Sequence, residues 1–336
     1  MQNRKVTLIR RPTGDPVETD FSIVDEDVAP LEAGQVLVKV ETLSIDAFIR
    51  TTFNEVSFHQ GSKIGNIVPA LGIGVVLESR DDGFSVGDYV FGALCSQSIA
   101  CMPGPALRRL DVSVVPPNSY VGVLGLTTGM TSYFGIVDVG AVKKGDTVVV
   151  SGAAGAVGSL AGQIARLSGA SRVIGIAGGP HKTAFLVDEL GFDAAIDYKN
   201  ENVETRLGEL APNGVDVFYD NVGGDTLDAV LMHIKDGTRV VICGAISQYQ
   251  DMDNVRGPKN YLKLAERHAT MAGFAVFHFA EHYERAEKQL TQWLASGQLI
   301  MREHIEQGID RFPAALNILQ NGGHHGKLLV RVAQTS

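Results

Sequence analysis

The chain has 336 residues, about twice the usual domain, and predicts two domains. Hydrophobic residues make up 45% and charged residues 20%, which supplies ample core and excludes a disordered chain. A formal charge of −9 without a basic run argues against a nucleic-acid partner, and three cysteines (Cys95, Cys101, Cys243) are too few for a disulfide framework and fit a reducing compartment.

The first residues, Met1 to Thr7, show neither the apolar stretch nor the small-residue cleavage site of a secretory signal, so a cytoplasmic protein is expected. Short β-like runs follow at 6–9, 35–40, 73–77 and 88–92, punctuated by Gly, Pro and Asp as in a β-rich domain with tight turns. The polar stretch 54–66 has no period and reads as a loop. Two uncharged stretches, 112–137 and 147–165, are broken by Pro116-Pro117-Asn118-Ser119 and by four glycines respectively. Both read as buried core and not as membrane spans.

From Thr147 the rhythm changes to strand, helix, strand, helix. Strand 147–151 precedes a helix with apolar residues at Val157, Leu160, Ala161, Ile164 and Leu167, one face of a helical period. Strand 173–177, a helix over 181–190 closed by Gly191, and strands 194–197, 215–219 and 239–243 continue the pattern, with a helix over 226–235. This alternation predicts an α/β, doubly wound parallel sheet. A helix over 281–296, another over 311–320 and a strand over 327–332 complete the chain. A last strand of this kind would return to the first domain, so the predicted division is 1–124 with 301–336 around 125–300.

The sharpest motif is Ser151-Gly152-Ala153-Ala154-Gly155-Ala156-Val157-Gly158, set between a strand and an amphipathic helix. Its glycines let the turn tighten, bring backbone N–H groups near a pyrophosphate and let helix pack on strand. The helix N-terminus adds free donors and a positive dipole end. In this context the motif predicts dinucleotide binding. An NAD site needs an acid about 20 residues on for the ribose 2′-hydroxyl. Here the second strand runs into Ala177-Gly178-Gly179-Pro180-His181-Lys182, with no carboxylate and a lysine. That favours NADP(H), with Lys182 on the 2′-phosphate; a solvated lysine in a first helical turn is the alternative.

At these residues the chain resembles the zinc-independent medium-chain dehydrogenases/reductases, in particular the group of prostaglandin/leukotriene reductases, alkenal double-bond reductases and curcumin reductases. The resemblance spans nearly the whole chain. It is carried by 150–159, Asp220-Asn221-Val222-Gly223-Gly224, Cys243-Gly244-Ala245-Ile246-Ser247, Gly273-Phe274-Ala275-Val276 and Gly326-Lys327. It implies a GroES-like β-rich domain, a Rossmann domain, NADPH held between them, and a homodimer. It implies cofactor contacts from Gly155, Ala156, Val157, Gly158, Ser159, Lys182, Tyr198 and Asn221. Cys243, Gly244, Ala245, Ile246, Ser247, Tyr249, Phe274, Ala275 and Val276 would complete the groove. The implied activity is reduction of the carbon–carbon double bond of a small apolar α,β-unsaturated ketone or aldehyde.

No metal is expected. The segment where zinc-dependent relatives carry Gly-His-Glu reads Leu71-Gly72-Ile73-Gly74, and Cys95 and Cys101 read as buried small hydrophobes. The family's Asp-Pro-Tyr-Met-Arg becomes Asp46-Ala47-Phe48-Ile49-Arg50. Glu266 stands where many eukaryotic members have tyrosine, and the family's Asn-x-Gly-Lys becomes His324-His325-Gly326-Lys327, with His324 on the nicotinamide side.

The expected mechanism is hydride transfer to the β-carbon followed by protonation of the α-carbon. Tyr261 is the candidate proton donor, with a packed tyrosine at a helix start as the alternative, and Tyr249 would only touch the cofactor. Ser44, Asp46 and Arg50 read as turn and ion-pair residues, and His278 and His282 as surface residues. Phe48, Phe274 and Phe277 read as core or apolar pocket. Two other readings stay open: a quinone reductase of the same superfamily, and a non-catalytic NADPH-binding protein.

Overall fold

The β-branched runs of the first third pair as antiparallel strands. The computed structural model describes residues 1–54 and 61–332, so residues 55–60 of the expected loop 54–66 lie outside the described residues. Gln2–Leu8 pairs with Phe21–Asp27. A larger sheet runs in the order Glu303–Gln307, Lys327–Arg331, Gln35–Ser44, Gly72–Ser79, Tyr89–Gly92, Leu107–Arg109, with Ile99–Pro103 also pairing to Gln35–Ser44. The late strand Lys327–Arg331 does return to this sheet, antiparallel to Gln35–Ser44 with Leu329 opposite Ser44. Val36, Val38, Leu43, Ile49, Phe53, Leu328 and Val330 share one core. Next to it Lys327 Nζ reaches Asp46 Oδ1 at 2.7 Å, with the two side chains only 1% and 7% exposed, and the Ser44 hydroxyl donates to the same carboxylate.

Two compact units result, residues 1–122 with the stretch from Glu303, and Val123–Arg302. The second holds the expected doubly wound sheet. Its strands are β1 (Thr147–Ser151), β2 (Arg172–Ala177), β3 (Ala194–Asp197), β4 (Val215–Asp220), β5 (Ile234–Ile242) and β6 (Thr270–Gly273). They are parallel throughout and ordered 3-2-1-4-5-6, so the order reverses between β1 and β4. The crossovers include α1 (Ala156–Leu167), α2 (Pro180–Ala184), α3 (Val203–Leu210) and α4 (Gly224–Leu231). Val149, Ile174, Ile196, Phe218, Leu227, Val230 and Val240 pack in one core on this sheet.

Several expectations need correction. Helix 226–235 ends at Leu231; Ile234 keeps the helical spacing of Leu227, Val230 and Leu231, yet it pairs with Val215 as the first residue of β5. Helix 181–190 is the short α2 followed by a π turn over Phe185–Glu189. Helix 281–296 is α only over Tyr283–Ala295, because His282 before it leaves the helical conformation with φ −112° and ends a 3-10 turn over Val276–His282. Cys101 is exposed and Cys95 half-buried, since Cys101 sits on the outward side of the strand Ile99–Pro103. Strand β6 escapes the sequence because it is an edge strand, mostly exposed and without an apolar run. No helix among the described residues is long and apolar enough to cross a membrane.

Candidate cofactor site

The site begins where β1 stops. Gly152 takes φ +58°, a left-handed conformation that glycine adopts without strain, and turns the chain into α1. A Cβ on Gly158 would lie 2.3 Å from the Gly152 carbonyl oxygen and 2.7 Å from Ala153 Cα, so α1 can rest on the turn only with glycine there. Gly155 caps the twelve-residue helix from an extended conformation. The N–H groups of Ala156, Val157 and Gly158 then have no carbonyl one turn back, at the positive end of the dipole. Ser159 is buried below them, its hydroxyl donating to the Ala156 carbonyl.

The end of β4 locks onto this turn. Ser151 Oγ donates to Asp220 Oδ1 at 2.6 Å, and the N–H groups of Val222 and Gly223 donate to Asp220 at 3.0 and 3.1 Å. Asn221 donates its N–H to Ser151 Oγ at 2.8 Å and its Nδ2 to the Ser151 carbonyl at 2.7 Å. The loop after β5 is stitched on next. Ile246 N–H donates to the Asn221 carbonyl, and Ser247 Oγ donates to the Val222 carbonyl at 2.6 Å. Ala245 N–H donates to the Tyr249 hydroxyl at 3.2 Å, and burial pushes that phenol above its ordinary value. Burial likewise pushes the Cys243 thiol up to about 12, so it stays a neutral packing group.

The loop after β6 is fixed by aromatic packing. A Cβ on Gly135 would lie 2.8 Å from Phe274 Cζ, so the absence of a side chain at 135 makes room for that ring. Phe274 meets Phe279 edge-on at 6.1 Å, and Phe279 stacks on Phe134 at 4.6 Å. The Tyr283 hydroxyl donates to the Val276 carbonyl at 3.2 Å.

At the other end of the sheet, β2 runs out into Gly178 and Gly179, the latter at φ +96°. Asp197, at the end of β3, accepts from Gly179 N–H at 2.7 Å, Asn200 Nδ2 at 2.7 Å and Lys199 N–H at 3.1 Å. These bonds, that from Gly179 first, hold its carboxyl below the usual carboxylate range. The Tyr198 ring and the Lys199 stem close on Gly178, each within 2.9 Å of where a Cβ would sit. Lys182, half-buried at the start of α2, makes no ion pair among the described residues. Burial, then the charge of Lys199, pushes its ammonium below the ordinary lysine value. Two cations near one glycine turn, with the local carboxylate already spent on backbone, suit a dianion such as a ribose 2′-phosphate.

Asp197 makes this arrangement pH-dependent. Its folded pKa is depressed, so its contribution is present above the unfolded carboxylate value of about 4 and is lost as pH falls through the lower folded value. Asp197→Asn is therefore expected to be less stable than wild type at pH 7, and urea midpoints of the two proteins should converge as pH falls from 5 to 3. Parallel curves over that range would show that the carboxylate does not support the turn.

The predicted residues thus fall into groups. Gly155 to Ser159, Asn221, Cys243 to Ser247 and Tyr249 come together at the ends of β1, β4 and β5, and Lys182 and Tyr198 meet at the ends of β2 and β3. Phe274 to Val276 follow β6. His324 belongs to the other unit, buried in the turn before Lys327. Tyr261 is not drawn to the Tyr249 loop. Asn260 is tied to Asp228 of α4, and the Tyr261 ring beside it is 57% exposed. Phe277, read as core or pocket, is also exposed. Sequence reasoning missed Lys199, Asp197 and Asp220; the signal for the first two was their place beside Tyr198 at a strand end. Among the described residues no group of three or more His, Cys, Asp or Glu could hold a metal.

Comparison with known proteins adds an independent line. Residues 156–296 match the family model described as zinc-binding dehydrogenase, and residues 4–110 match the N-terminal domain of oxidoreductase. The chain is 40% identical over 340 residues to the protein named YfmJ of Bacillus subtilis (strain 168), covering 99% of this chain and 98% of the other. It is 34% identical over 341 residues to the NADP(+)-dependent 2-alkenal reductase of Nicotiana tabacum, at 99% and 98% coverage. The crystal structure of CurA from Vibrio vulnificus in complex with NADPH superposes with a TM-score of 0.93 at 34% identity, covering 99% of this chain and all of that one. These likenesses agree with a GroES-like first unit and a Rossmann second unit.

Proposed function

We propose an enone reductase for this chain, which belongs to the medium-chain dehydrogenase/reductase family and is an NADPH-dependent oxidoreductase of its curcumin, 2-alkenal and prostaglandin reductase group. Its reaction is reduction of the carbon–carbon double bond of α,β-unsaturated ketones and aldehydes. Bound NADPH supplies a hydride. Lys182, Lys199 and Tyr198 hold the 2′-phosphate, the first turn of α1 takes the pyrophosphate, and Asn221 with the 243–249 loop carries the nicotinamide half.

The observation that carries the reading is the seating of Tyr249. Its hydroxyl is anchored to Ala245 in the loop that is stitched to Asn221, and its phenol is raised, so it stays protonated throughout the neutral range. A half-buried, protonated phenol there suits protonation of the enolate α-carbon after hydride arrives. Tyr261, the donor expected from sequence, is exposed and follows Asn260, which is tied to α4, so Tyr249 is the better candidate. Tyr249→Phe is expected to lower kcat about tenfold on an enal and Tyr261→Phe to leave it unchanged, in line with general-acid contributions. NADPH oxidation assayed against enals, enones and quinones, with product masses, tests the whole reading. A product two hydrogens heavier supports it, whereas turnover on quinones alone would replace it with the quinone reductase. We also propose a cytoplasmic homodimer, a reading supported by the family and by the uncovered edge strand β6.

A further inference from the structure

Asp220 is fully buried, at 0% exposure, and makes no ion pair among the described residues. Its role in the hydrogen-bond network is that of an acceptor only. Ser151 Oγ already accepts from Asn221 N–H, so its own proton goes to Asp220, and the other partners, Val222 and Gly223, are N–H donors. Burial pushes the Asp220 carboxyl above the usual carboxylate range, while these donated bonds favour the ionised form. The nearby titratable groups supply no cation. Cys243, Tyr219 and Tyr249 are each raised by burial and stay neutral near pH 7. The N–H groups at the start of α4 offset part of the charge, but a buried anion without a full counter-charge is costly.

The topology says where a counter-charge would come from. In a sheet ordered 3-2-1-4-5-6 the dinucleotide crosses the point of reversal, with its adenosine half over β1 to β3 and its nicotinamide half over β4 to β6. Asp220 is the last residue of β4, the first strand on the nicotinamide side. That half of the cofactor changes charge in the reaction. Its ring is neutral when reduced and cationic once the hydride, carrying both electrons, has passed to the acceptor carbon.

We propose that Asp220 tunes the cofactor couple: its buried carboxylate favours the oxidised, cationic nicotinamide ring over the reduced, neutral one and so makes bound NADPH a stronger hydride donor. The residue acts through its field and touches no reacting atom. The inference rests on the dinucleotide site and not on the enone, so it can be read with no substrate present.

The test is a pair of equilibrium titrations, NADP+ and NADPH separately, on the whole purified protein. Asp220→Asn keeps an oxygen at the Oδ1 position for its three donors and removes the charge, at the cost of an amide where Oδ2 accepted from Gly223 N–H. Expected is a loss of NADP+ affinity at least about fivefold greater than the loss of NADPH affinity, the size of one charge acting across a protein-like dielectric. Ser151→Ala removes two bonds of the network, the one given to Asp220 and the one accepted from Asn221 N–H, and leaves the charge. It should weaken both forms alike, with their ratio held within about twofold. If Asp220→Asn does not fold, Asp220→Ser, which leaves an acceptor oxygen and room for water, reads the same ratio. Equal losses of both forms in the neutral variant, or a greater loss of NADPH, would overturn the proposal and leave Asp220 a structural residue. A wild-type protein that bound neither form would instead overturn the cofactor assignment itself.

Discussion

Lys182→Glu is expected to raise the KM for NADPH about a hundredfold and to leave that for NADH within about threefold. The first factor has two parts: loss of a charge-assisted contact, about 1.5–3 kcal/mol, and repulsion between the new carboxylate and the phosphate dianion. About 2.7 kcal/mol in total is two powers of ten. Lys199 remains and keeps the loss from being complete. NADH has no phosphate there, so the substitution removes nothing it uses. The half-burial of Lys182 and its nearness to Lys199 make the effect larger than for a solvated lysine, because the Lys182 ammonium is held at a cost that an anion relieves. Steady-state kinetics with each cofactor check it. A loss shared equally by NADPH and NADH would mean that Lys182 supports the fold of α2 and does not read the phosphate.

Lys327→Met is expected to destabilise the protein by about 3–5 kcal/mol, the usual consequence of stranding one member of a buried ion pair. Its ammonium is 1% exposed and lies 2.7 Å from Asp46, which is 7% exposed. Methionine fills the space left by the lysine stem but supplies no counter-charge to the carboxylate, which keeps the Ser44 hydroxyl as a donor. At about 2–4 °C per kcal/mol for chains of this size, the apparent Tm falls by about 6–20 °C. The double variant Lys327→Met with Asp46→Asn should recover part of the loss, since it removes the stranded charge. Thermal and urea unfolding of wild type and the two variants check this. A single variant within about 1 kcal/mol of wild type would show that Asp46 finds other compensation.

The parts of this molecule that were legible from residues in order are those made by neighbours in the chain. The turn from Gly152 to Gly158 lies within one β–turn–helix unit, and the spacing of its glycines follows from local clashes alone. Lys182 and the missing acid stand out in the sequence because the segment 177–182 follows β2 directly. Strand–helix alternation implies a parallel sheet, since parallel strands need a crossover. Where amphipathic spacing ran on past a helix end, as at Ile234, the reading overshot.

Pairings across strand ends had to wait for the folded chain. Asp197 caps Gly179 eighteen residues back, Asp220 reaches Ser151 across 69 residues, and Lys327 meets Asp46 across 281. None of these leaves a local pattern, because each depends on which strands lie side by side and where each one stops. The same holds for the two tyrosines. Tyr249 and Tyr261 stand twelve positions apart in sequence and look equivalent there, yet one is bound into the loop beyond β5 and the other is drawn to α4 by Asn260. Hydrophobic period and glycine spacing are properties of a segment; the company a buried charge or hydroxyl keeps is a property of the sheet order.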